Sequence, residues 1–137
     1  MSDQLDRFVT AQDGVYPRAL AELRAGRKRS HWMWFVFPQI AGLGMSAMSQ
    51  HYAIASLDEA RAYLAHPTLG ARLRECAALV AASEAPSAEL LFGGIDAMKL
   101  RSSMTLFHRA DPDDPTFTAV LEKYFDGRAD PATDERL

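Results

Sequence analysis

Along nearly the whole chain, apolar residues recur three and four positions apart, and each such stretch is soon cut off by a glycine, a proline or an acidic turn. That pattern suits short amphipathic helices, each too brief to stand alone and each needing its neighbours to cover an apolar face. Leu5, Phe8, Val9 and Gln12 share one face of a first helix that Asp3 can cap, and Asp13-Gly14 breaks it. A second helix is predicted from Tyr16 to Ala25, with Pro17 in its first turn and Gly26 as a left-handed stop. Ser56 and Glu59 have the spacing of a capping box ahead of the Leu57, Ala60, Leu64 stripe, and Pro67 ends that helix and opens the next. Leu69, Leu73, Cys76, Ala77 and Val80 then repeat at helical spacing. Ser87 caps a short ELLFG turn, and Asp96 caps a helix carrying Leu100, Met104 and Phe107 that ends at DPDDP. Phe117, Val120, Leu121, Tyr124 and Phe125 form the last stripe, closed by Gly127. No alternating strand pattern is sustained. The expected fold is all-α, a single compact domain over residues 1–137 built from about six to eight short helices.

One segment stands apart. In RKRSHWMWFVFPQ, residues 27–39, three cations run directly into both tryptophans of the chain. With Ser30 as a cap and Pro38 as a stop, the segment reads as a two-turn helix that places His31, Trp34 and Phe35 on one face and Trp32 and Val36 on another. A helix apolar on nearly every side is usually buried, so its first expected role is as a core element with Arg27, Lys28 and Arg29 left in solvent. Its functional reading is a cleft in which aromatic surface and His31 meet a flat, anionic ligand and the cations hold its charge. The AGLGMS stretch that follows lets backbone approach a ligand at Gly42 and Gly44, and Ser46 can open a helix there. In MKLRSSMTLF, Leu100, Met104 and Phe107 face the core, while Lys99, Arg101, Ser102, Thr105 and His108 occupy polar faces expected in solvent. If that helix packs beside the tryptophan segment, Lys99, Arg101 and Ser102 complete a polar pocket.

Composition narrows the functions. A net charge of −3 argues against a nucleic-acid partner, whose phosphates call for a basic surface. The longest strongly apolar run, Trp32 to Phe37, is too short to span a bilayer, so no membrane partner is expected, and the N-terminus lacks the pattern of a signal peptide. Cys76 is the only cysteine, which rules out an intrachain disulfide and a thiolate zinc cluster, and its place on an apolar stripe marks an inert core thiol. Histidines 31, 51, 66 and 108 show no helical zinc spacing, and neither a phosphate loop nor a nucleophile elbow occurs. No metal and no cofactor are expected, and a cytoplasmic location is.

The motifs DRFVTAQ, ELRAGRKRSHWMWFVFPQIAGLGMSAMS, SLDEARAYLAHPTLGARLREC, KLRSSMTLF and FDGRADPAT resemble, together and over nearly the full length, a bacterial all-helical family catalogued as domain of unknown function 1810, some members of which carry a calpastatin label. The resemblance implies a single helical domain and supplies no catalytic residues. The expected function is binding of a small anionic or nucleotide-like ligand beside His31–Gln39, through Arg29, His31, Trp34, Gln39, Gly42, Gly44, Lys99, Arg101 and Ser102. One alternative is a hydrolase of an ADP-ribose or NAD-type glycosidic linkage, with His31 paired to Asp58, Glu59 or Asp96. The other is a protein-interaction module whose tryptophan face is exposed. The sequence leaves open whether the protein is an enzyme and what its oligomeric state is.

Overall fold

The computed structural model describes residues 4–137, so the expected Asp3 cap lies outside the described residues. Ten helices follow one another in this range: α1 (Asp6–Gln12), α2 (Tyr16–Ala25), α3 (Met33–Val36), α4 (Ala47–His51), α5 (Leu57–Ala65), α6 (Leu69–Ala81), α7 (Ala88–Phe92), α8 (Gly94–Ala110), α9 (Pro115–Phe125) and α10 (Pro131–Asp134). Extended pairing among the described residues is limited to one isolated parallel bridge, Ile40 to Ile54, where Ala41 N donates to Ile54 O and Ile54 N to Gln39 O, each at 2.8 Å. The fold is all-α.

The helix ends follow the local chemistry. Gly26 closes α2 at φ 77°, a left-handed conformation open to glycine at no steric cost. Ser46, Ser56 and Ser87 each accept the N–H three residues on and start α4, α5 and α7. Glu59 completes its box one residue early, accepting from Ala55 N at 2.8 Å. The α5–α6 junction differs from expectation. There His66 Nδ1 accepts from Thr68 N and Leu69 N at 3.1 and 3.2 Å, so an imidazole rather than Pro67 prepares the start of α6.

Packing centres on α8, which meets α5, α7, α9 and α10, while α6 lies against α2, α3, α5 and α9. Two aromatic clusters fill the space between. Trp32, Phe37 and Phe92 pack with centroids 6.0–6.3 Å apart, and Phe8, Tyr63, Phe107 and Phe117 form a chain with steps of 5.2–5.9 Å. A buried amide threads the second cluster. Gln12 Nε2 donates to Phe35 O at 2.7 Å and to Tyr63 Oη at 3.2 Å, and its carbonyl accepts from Arg72 at 3.2 Å. Because every polar atom of Gln12 is partnered, the amide can sit in the core without a desolvation penalty.

Three local expectations are corrected. The segment after Ser30 forms a single helical turn, α3, and Ser30 is not its cap, because the serine hydroxyl donates to Glu22 Oε2 at 2.6 Å. Asp96 lies within the first turn of α8 without capping it, since its carboxylate is drawn to Lys28 at 2.8 Å and Lys99 at 3.6 Å. The polar faces of α8 are largely covered: Ser102 and Thr105 are buried beneath the C-terminal segment. Thr105 Oγ1 donates to Arg101 O and accepts from Asp130 N, Ser102 Oγ donates to Asp130 Oδ2, and the Arg109 guanidinium clasps Asp134 with two bonds of 2.8 and 3.0 Å.

Candidate functional site

The cation-rich entry to the tryptophan segment is organised by one carboxylate that sequence reading missed. Glu22, near the end of α2, accepts from Arg29 N at 2.7 Å, Ser30 N at 2.9 Å and the Trp32 indole N–H at 3.0 Å through Oε1, and from Ser30 Oγ through Oε2. Partial burial alone would raise its pKa, but donors from Ser30, Arg29 and Trp32 outweigh that and hold it down at about 2. Its only sequence signal is a glutamate shortly before a turn rich in donors. Trp32 is fully buried, so its indole anchors the core instead of facing a ligand.

The three cations therefore have separate fates. The Lys28 side chain is almost enclosed, reaching Asp96 and Ser30 O and lying 5.1 Å from the centroid of the Trp32 ring. It is not left in solvent as expected, because the Asp96 carboxylate and the indole face together replace its hydration. Arg29 is exposed and tied through its backbone, and Arg27 is exposed.

Seven of the nine predicted site residues divide between two adjoining clefts. Gln39, Gly44, Lys99, Arg101 and Ser102 line one cleft of about 500 Å³, together with Leu43, Ser49, Glu89, Ile95, Met98, Phe125, Asp130 and Ala132. Its walls are α8, the 39–49 segment and the C-terminal segment. His31 and Trp34 line the second, of about 370 Å³, with Lys28, Met33, Asp96 and the Phe92–Ile95 turn. Ile95 borders both, and Lys99 links them, its ammonium 4.9 Å from the Trp34 ring centroid. Gly42 and Arg29 line neither. Gly42, at φ 97°, is needed for another reason: a Cβ there would stand 3.0 Å from Arg136 Nε, so the glycine lets the C-terminal segment close over this loop. A third cleft of about 570 Å³, at the C-terminal ends of α2 and α6, is larger but contains none of the predicted residues.

Within the 500 Å³ cleft, Arg101 has an unusual environment. Nε and Nη2 donate to the carbonyls of Arg128 and Ala129 at 3.0 and 2.8 Å, and no carboxylate among the described residues pairs with it. Carbonyl dipoles occupy these two nitrogens without neutralising the charge. Two exposed apolar side chains line the same cleft. Ile95 and Met98 line it with 75% and 73% of their surface in solvent, and Met45, Met48 and Leu90 adjoin lining residues in sequence.

The carboxylates proposed as partners for His31 are scattered. Asp58 lies on α5 beside Arg61, Glu59 is held by Arg7 and Ala55 N, and only Asp96 shares a cleft with His31, where two lysines engage it. Cys76 is buried, and burial pushes its thiol up to about 12 against a weak contact to the Tyr16 hydroxyl. Among the described residues no group of three or more His, Cys, Asp or Glu side chains could hold a metal ion.

Fold and cleft together define a compact all-helical domain with an open, mixed polar and apolar surface site. The chain belongs to the family described as "Protein of unknown function (DUF1810)", whose profile matches residues 2–137. It is similar to the conserved hypothetical protein Rv1873 from Mycobacterium tuberculosis, known from a crystal structure, at 52% identity and a TM-score of 0.97 over 100% of this chain and 98% of that one. No curated protein matches it. These likenesses establish the family and the fold.

Proposed function

We propose that the protein binds a small organic anion with an apolar body in the 500 Å³ cleft. The observation that carries this reading is that Lys99, Arg101 and Ser102 line one cleft together with the apolar Leu43, Ile95, Met98 and Phe125, beside Glu89 and Asp130. Such a mixture suits a ligand whose charged group is fixed at one end and whose hydrocarbon covers the exposed apolar wall. The volume is that of a small-molecule site. Aromatic stacking on tryptophan is not offered in this cleft, so the support lies with the anionic part of the expected ligand more than with a nucleotide base. The buried Trp32 likewise gives a tryptophan-centred docking surface little support.

The test is a thermal-shift and calorimetric panel of carboxylates, phosphates and nucleotides, repeated with Lys99→Gln. Binding should raise the melting temperature, and the substitution should weaken it about tenfold, the worth of one charge-assisted contact. A panel without any stabilising ligand, or binding indifferent to Lys99→Gln, would remove the proposal. A cytoplasmic setting accords with it: the single cysteine is a free, buried thiol, and no helix among the described residues is long and apolar enough to cross a membrane.

A further inference from the structure

The same cleft has a second pole. Asp130 lines it, and its carboxylate is half spent: Oδ2 accepts from Ser102 Oγ at 2.8 Å, Thr133 Oγ1 at 2.7 Å and Thr133 N at 3.2 Å, whereas Oδ1 has no hydrogen bond among the described residues and is not enclosed. Arg101 is its mirror image. Two of its nitrogens are spent on the carbonyls of Arg128 and Ala129, and Nη1 is unspent. The two groups are thus brought to neighbouring positions, since Arg101 grips the residue just before Asp130 and Ser102, the next residue of α8, grips Asp130 itself. Yet they do not form an ion pair within 4.0 Å of each other.

A guanidinium and a carboxylate placed side by side would ordinarily satisfy each other. Here each is instead oriented by neutral partners, with one atom left without a hydrogen bond, and both residues line one cleft. Ser102 is 7% exposed, so the floor that sets the carboxylate is a buried, ordered one. Leu43, Met98, Phe125 and Ile95 line the same cleft, as does Glu89.

Resting on the site proposed above, we infer that its ligand is a small zwitterion with an apolar side chain, of the amino-acid class. The ligand carboxylate meets Arg101 and Lys99, its ammonium meets Asp130 Oδ1, and its hydrocarbon covers Met98 and Ile95. A purely anionic ligand held by Arg101 and Lys99 would still bring its negative charge near Asp130 and Glu89, and offers no positive charge to either. A zwitterion presents the opposite charge to each pole.

Three matched probes separate the terms: leucine, isocaproate (leucine without its ammonium) and isoamylamine (leucine without its carboxylate), titrated calorimetrically at neutral pH, with methionine and phenylalanine as alternative side chains. The zwitterions should bind at least about tenfold more tightly than either truncated probe, the usual worth of a charge-assisted contact. In Asp130→Asn, leucine and isocaproate should bind alike. Asparagine caps helices as well as aspartate does, so α10 keeps its start, and an unchanged circular-dichroism spectrum would establish that the fold is retained. Isocaproate binding as tightly as leucine to the unaltered protein overturns this inference and leaves the anion site standing. A zwitterion preference that survives Asp130→Asn overturns the role of Asp130. Absence of binding by all the probes overturns the inference, and the wider anion panel then decides whether the site falls with it.

Discussion

Replacing Glu22 by glutamine keeps the shape of the side chain and removes the charge on which four donors converge. The group titrates near 2 in the folded chain, against 4.5 for an ordinary glutamate. That gap corresponds to at most roughly 3 kcal/mol of stability. Solvent access to the outer side of the carboxylate reduces the expected value to about 2 kcal/mol. Glu22→Gln should therefore lower stability by about 2 kcal/mol at pH 7 in urea denaturation, and lower the melting temperature by roughly 6–10 °C. The sign with pH follows from the direction of the shift. A carboxyl whose folded pKa is depressed contributes fully above its unfolded value, and the contribution is lost as pH falls through the folded value. The stability gap between the two proteins should thus be constant above about pH 5.5 and narrow from about 4.5 downward. By pH 2.5 it should have shrunk to about a quarter of its neutral value, to be followed as far down as both proteins remain folded. Trp32 fluorescence reports the same event locally, because the substitution weakens the acceptor held by its indole N–H. Equal stability of the two proteins at pH 7, or a gap that does not change between pH 7 and pH 3, would refute the argument that this carboxylate organises the segment as an anion.

Two further outcomes are expected. A Cβ at Gly70 would stand 2.1 Å from the backbone oxygen of Leu64, so Gly70→Ala must push α5 and α6 apart and should cost about 2–3 kcal/mol; an unchanged thermal midpoint would contradict that contact. With its thiol pushed up to about 12 and fully buried, Cys76 should resist a disulfide reagent at pH 8 in the native protein and react as one thiol per chain in urea, and rapid native modification would show that the α6 stripe opens.

Much of the secondary structure could be read along the chain because its causes are local. The Ser56 and Ser87 caps and the Gly26 stop depend on groups only a few residues apart, and they occur where spacing places them. Even the burial of Cys76 followed from its place in a stripe. The misread places each involve a partner from elsewhere. Ser30 looked like a cap until Glu22, eight residues back, took its hydroxyl. Asp96 looked like a cap until Lys28 crossed from another element.

The site divides along the same line. Sequence alone determined that the chain would be a helical domain and that Lys99, Arg101 and Ser102 would share one stretch of helix, and it left Trp32 between a core role and an exposed face. Only the tertiary structure decided that Gln39 and Gly44 join them while His31 and Trp34 line a separate cleft. It also decided that residues 128–134 lie across α8, burying Ser102 and Thr105 and bringing Asp130 beside Arg101. The physical reason is range: a cap or a stripe is set within one or two turns, whereas a cleft is the space left between segments that meet only once the chain has folded.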